Sequence, residues 1–128
     1  MRFLLDTHAF VWGLVSPERL SATARTAMTD PSADLLVSSV TGWEIATKVR
    51  AGKWPEAAAT PPDLAMSLRQ LRATTVDLTL DDGLAAGRLE WAHADPFDRM
   101  LVAQALSRGL MIITMDPAIT AHPVPTLW

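Results

Sequence analysis

The sequence contains no cysteine. That excludes disulfides, thiolate metal centres and cysteine nucleophiles, and it suits a reducing compartment. Long hydrophobic runs are also missing. No uncharged apolar stretch approaches the roughly 18 residues of a membrane span, so no membrane partner is expected. The N-terminal segment MRFLLDTHAFVWGLV is broken by Asp6 and His8. No small-residue cleavage site follows it, so it does not read as a signal peptide and the expected location is cytoplasmic. An excess of positive charge is lacking too: 11 Lys and Arg stand against 14 Asp and Glu, a net charge of −3. Ordinary nucleic-acid-binding domains are basic, so bulk charge speaks mildly against that partner. The objection weakens if several acids are gathered around bound cations. No basic block, internal repeat, low-complexity tract or linker is visible, nor a twelve-residue calcium loop with its ligand spacing.

What is present fits one folded domain over residues 1–128. The chain is 49% hydrophobic and 20% charged, and its length suffices to bury roughly two thirds of the unfolded surface. The apolar runs RFLLD (2–6) and LMIITMD (110–116) each end in an aspartate and read as buried parallel strands. ADLLVSS (33–39) reads the same way, TTVDL (74–78) is a weaker strand, and VPTL (124–127) is a short edge candidate. Helices are expected over 8–15, 17–28 behind Ser16 and Pro17, 40–51, a segment from Thr60 carrying Leu64, Leu68 and Leu71 on one stripe, 81–90 and 96–108. Strands alternating with helices predict an α/β domain with a mostly parallel central sheet covered on both faces. Ligands in such sheets gather beyond the carboxyl ends of the strands, where Asp6 and Asp116 stand.

The acids admit two readings. In HADPFDRMLVAQAL (93–106), Asp95 with Pro96 forms a helix start, and Asp98 at the third helical position can serve the same start. Yet Asp98 shares a helical stripe with Leu101, Val102 and Ala105, so it is aimed at the sheet, whereas a cap needs no such direction. Asp6 and Asp116 are each explicable as caps of the following helix. Glu44 in SSVTGWEIATKVRAGKW is explicable as a surface pair with Lys48, worth about 0.3–0.5 kcal/mol. Against that, Glu44 lies between Trp43 and Ile45 in the first turns of a helix that follows a strand end. Four carboxylates at one sheet edge would repel severely without a cation. An all-oxygen carboxylate site suits Mg²⁺ or Mn²⁺ and phosphodiester hydrolysis with a metal-activated water.

With LLDTHAFVW, SSVTGWEIATKVRAGK, DPFDRMLVAQAL and LMIITMD in this order, the chain resembles the PIN-domain ribonucleases, specifically the VapC-like toxins of bacterial toxin–antitoxin pairs. The resemblance runs from Arg2 to nearly Trp128. It implies a three-layer α/β/α fold and Mg²⁺- or Mn²⁺-dependent endonucleolytic cleavage of RNA. It also implies a homodimer and inhibition by a cognate VapB-like antitoxin. Carried over by position, the family's acids correspond to Asp6, Glu44, Asp98 and Asp116, which would be both catalytic and metal-binding, with Asp95 as an accessory acid. Nearby, Ser38 and Thr41 are further polar groups. Thr7 and Thr114 can hydrogen-bond carboxylates, and Arg99 can balance the acids, touch phosphate or be a surface charge. Lys48, Arg50 and Lys53 are a small cluster that either contacts RNA backbone or forms a solvated helix face. His8, His93 and His122 read as structural or exposed, and Trp12, Trp43 and Trp54 as core or groove residues.

Competing readings remain at this level. One is a PIN nuclease of RNA maturation or decay without a toxin role. Another is a phosphotransfer domain with an acidic Mg²⁺ pocket, disfavoured because position 8 is histidine where a second aspartate would be wanted. The third is a non-enzymatic partner-binding module whose acids are all caps.

Overall fold

The computed structural model describes residues 1–128. Five parallel strands are laid down in the order β3-β2-β1-β4-β5: β1 (Arg2–Leu5), β2 (Asp34–Ser38), β3 (Ala73–Val76), β4 (Met111–Ile113) and β5 (Thr126–Leu127). The strands alternate strictly. Phe3, Leu5, Leu35, Val37 and Ile113 enter one core, while Leu4, Leu36 and Ile112 enter the other. A period of two with apolar residues in both phases requires cover on both faces.

The first face is covered by α1 (Thr7–Val15), α2 (Ala22–Thr29) and α4 (Leu64–Leu71). They bring Phe10, Trp12, Leu14 and Met28 against the sheet, with Trp54 from a connecting segment. On the second face, α6 (Pro96–Arg108) contributes Leu101, Val102 and Ala105, and α7 (Pro117–Thr120) contributes Ile119. The helix α3 (Ser39–Arg50) leaves the end of β2, and α5 (Leu80–Arg88) packs against α6. The three-layer, all-parallel architecture agrees with the sequence expectation.

Local chemistry explains most boundaries. Ser21, Ser38, Asp63 and Asp95 cap α2, α3, α4 and α6 through their side-chain oxygens, satisfying amides that have no intrahelical partner. Thr79 and Asp82 close a reciprocal capping box at α5. Gly109 takes φ 62 to end α6, where a β-carbon would be strained.

Two expectations need correction. The helix read over 17–28 is broken: Pro17–Arg19 form one 3₁₀ turn, Leu20 is extended, and α2 starts only when Ser21 accepts from the Ala24 amide. The stripe on α4 is only partly buried. Leu68 and Leu71 pack on the core, but Leu64 is exposed and Ser67 is the buried residue of that helix.

No helix is long and apolar enough to cross a membrane.

Candidate active site

Strand order reverses at β1: β2 and β3 lie on one side of it, β4 and β5 on the other. A crevice therefore opens at the carboxyl ends of β1 and β4. Asp6 follows β1 directly and caps α1, its Oδ1 accepting from the Ala9 amide at 2.7 Å. Its Oδ2 accepts from the hydroxyl of Thr114, the residue after β4. Two residues on, Asp116 caps α7, accepting from the Ala118 amide at 2.9 Å, while its own amide donates to Thr114 Oγ1. From the start of α3, Glu44 reaches the same place because it shares a buried stripe with Val40 and Thr41. Thr7 Oγ1 donates to its Oε1 and Lys48 Nζ to its Oε2. Asp95 caps α6 through the Phe97 and Asp98 amides, and Asp98 accepts from His93 Nε2 at 2.7 Å.

These groups enclose a small cleft of about 50 Å³ with no apolar residue in its wall: Asp6, Thr7, His8, Glu44, Lys48, Asp95, Asp98 and Asp116. Five carboxylates and one ammonium face it. Burial pushes Asp6 up to about 6, and the charges of Asp116 and Asp98 add to the rise. Asp98 is also pushed up to about 6, first by burial and then by Asp95, Asp116 and Glu44. Burial alone would lower Lys48, but its bond to Glu44 and that carboxylate's charge outweigh it, and Lys48 ends above its ordinary value.

The structure brings Asp6, Thr7, Glu44, Asp98, Asp116 and Asp95 together around this cleft, with Thr114 bonded to Asp6 behind it. Capping and convergence are not alternatives here, because Asp6, Asp95 and Asp116 do both. Arg99 is a correction. Its guanidinium points away from the acids and donates to the carbonyls of Ala86, Gly87, Leu89, Trp91 and His93, so it organises the α5–α6 connection. A planar fork of five donors is fully satisfied by that ring of carbonyls. The cluster of Lys48, Arg50 and Lys53 divides: Lys48 turns into the cleft on Glu44, while Lys53 is solvent-exposed, as is Arg50. Trp12 and Trp54 are buried, whereas Trp43 is half-exposed and packs edge-on against Phe97.

Two histidines come closer to the acids than the sequence reading placed them. His8 lines the cleft while stacking on Trp54 at 4.3 Å, and His93 holds Asp98. Proximity of His93 to DPFD was the available signal, but a loop residue carries no periodicity from which to tell its direction. Ring nitrogen and carboxylate oxygens of His93, Asp95 and Asp98 all lie within 4.8 Å of one another.

The donor set fits a hard divalent cation. It consists almost wholly of carboxylate oxygens in a polar cleft, where the charges of neighbouring acids add to the burial that raises Asp6 and Asp98.

The chain matches the PIN domain family over residues 3–123. It is 28% identical to ribonuclease VapC22 of Mycobacterium tuberculosis over 129 residues, covering 98% of this chain and 97% of that protein. In fold it is similar to VapBC2 of Rickettsia felis, solved bound to a DNA fragment from its promoter (TM-score 0.65, 12% identity, 99% of this chain and 98% of that one). It is likewise similar to VapC20 of Mycobacterium tuberculosis, a sarcin–ricin-loop-cleaving toxin (TM-score 0.62, 16% identity, 95% of each chain). With its parallel sheet, its acids at the β1–β4 crevice and a family match spanning nearly its whole length, the chain belongs to the PIN domain family.

Proposed function

We propose that this protein is a divalent-metal-dependent endoribonuclease, acting in the cytoplasm as the toxin of a VapBC-type pair. The observation carrying this reading is the convergence of Asp6, Glu44, Asp98 and Asp116, from four separate parts of the chain, on one cleft without apolar lining. Asp6, Glu44, Asp98 and Asp116 would hold Mg²⁺ or Mn²⁺, with Asp95 as accessory. Such an ion supplies charge neutralisation for the phosphodiester and a water of lowered pKa. The chain's own residues prepare the place. Thr114 and the Ala9 amide fix the Asp6 carboxylate, and Thr7 and Lys48 fix Glu44. An oriented carboxylate loses less entropy on ligation. Lys48 at the cleft wall also offers positive charge toward an RNA phosphate, and the exposed Arg50 and Lys53 continue it along the C-terminal end of α3.

A VapB-like antitoxin is the proposed inhibitor and a homodimer the proposed assembly. The family match and the named relatives support the first, and kinship alone supports the second.

The purified protein should cleave RNA only with Mg²⁺ or Mn²⁺, and Asp6→Asn and Asp98→Asn should each remove cleavage. Equal cleavage by both variants refutes the site. Growth arrest on expression, relieved by a small co-encoded partner, separates a toxin from a nuclease of RNA maturation or decay.

A further inference from the structure

The connection between α5 and α6 carries a built arrangement that reaches from Arg99 to Asp98. Arg99 gathers five carbonyls from the last turn of α5 and that connection, among them Trp91 O at 2.7 Å and His93 O at 2.9 Å. The His93 ring packs at a tilt against Trp91 at 4.8 Å, and Trp91 in turn against His122 at 4.7 Å. So held from its backbone and from one ring face, the imidazole presents Nε2 to Asp98 Oδ2 at 2.7 Å. An ionised carboxylate only accepts, so Nε2 carries the proton in that bond. His93 does not itself line the cleft, whereas Asp98 does. Asp98 Oδ1 accepts no hydrogen bond from the protein.

We propose that His93 is a positioning residue for Asp98: its Nε2–H holds Oδ2 and leaves Oδ1 as the oxygen offered to a divalent cation. Arg99 acts one step further back, by fixing the loop that carries His93. This rests on the metal-site reading above. The groups bonded to a ligating carboxylate set its orientation, and removing one typically weakens metal binding about 10–100-fold.

Two substitutions separate the hydrogen bond from the ring. His93→Phe keeps an aromatic ring against Trp91 and loses the donor. His93→Gln loses the ring and keeps an N–H at similar reach. Mn²⁺ binding to each purified protein, measured by calorimetry without RNA, is the readout, with circular dichroism confirming the fold. The expectation is affinity weakened about 10-fold or more in His93→Phe and within about threefold of the parent in His93→Gln. Parent-like affinity in His93→Phe overturns the proposal, because ring packing then suffices. Equal loss in both variants also overturns it, because the imidazole itself is then required, as in direct ligation. A parent protein that binds no Mn²⁺ overturns the metal site, and this inference with it.

Discussion

Thr114 Oγ1 donates to Asp6 Oδ2, joining the ends of two adjacent parallel strands across 108 positions of sequence. The hydroxyl is fully buried and also accepts from the Asp116 amide, so one threonine ties two of the cleft's acids together. Thr114→Val should cost about 1 kcal/mol of stability for the lost bond. It should also lower divalent affinity and RNA cleavage about tenfold. Thr114→Ser, which keeps the hydroxyl, should restore both. Calorimetric titration with Mn²⁺ and a cleavage assay check this.

The raised pKa of Asp6 makes a signed prediction for the metal-free protein. Its carboxyl titrates at about 6 when folded and near 3.8 when unfolded. Between those values the folded state keeps a proton that the unfolded state has released, so stability falls as pH rises through this window. The shift corresponds to about 3 kcal/mol at most. Asp6→Asn should therefore match the parent near pH 4 and exceed it above pH 6 in urea denaturation without divalent ions. A variant no more stable than the parent at pH 7 would count against the raised pKa.

Divalent ions should reverse that order. Mg²⁺ or Mn²⁺ at about 100 times Kd should stabilise the parent by roughly 2.7 kcal/mol. Asp98→Asn and Glu44→Gln should gain much less in the same thermal-shift measurement. Affinity should rise with pH through about 6, because protons on Asp6 and Asp98 compete with the cation. A parent whose Tm ignores divalent ions would favour the partner-binding alternative.

Arg99 should behave as a structural residue with a distant effect on the site. Arg99→Ala strands five carbonyls and should destabilise the fold by roughly 3 kcal/mol, read from urea midpoints. Arg99→Lys should recover only part of this, since an ammonium cannot reproduce the planar fork.

Much of this was legible in the order of residues. Apolar runs ending in Asp6, in the Ser38–Ser39 pair and at Asp116 announced parallel strands, because a strand covered on both faces needs apolar side chains in both phases. Asp95-Pro96 and Asp116-Pro117 announced helix starts, because their chemistry is local. The inward aim of Asp98 followed from its three- and four-residue spacing to Leu101 and Val102. The 3₁₀ turn at Pro17–Arg19, the exposure of Leu64 and the turn of Arg99 onto the carbonyls of residues 86–93 were not legible, because helical periodicity reports which residues share a face and not what that face meets.

The sequence by itself determined most of the elements, the caps at Asp6, Asp95 and Asp116 and the acids at the strand ends, since each depends on residues within one or two turns. Strand order, and with it the crevice between β1 and β4, was decided only by tertiary structure. Packing alone buried Glu44 and its Lys48 partner at the cleft, set His93 behind Asp98 and tied Thr114 to Asp6. The reason is electrostatic as well as geometric. The pKa of a carboxylate and its readiness for a cation depend on burial and on charges brought near by folding, and neither is a property of the residue's neighbours in sequence.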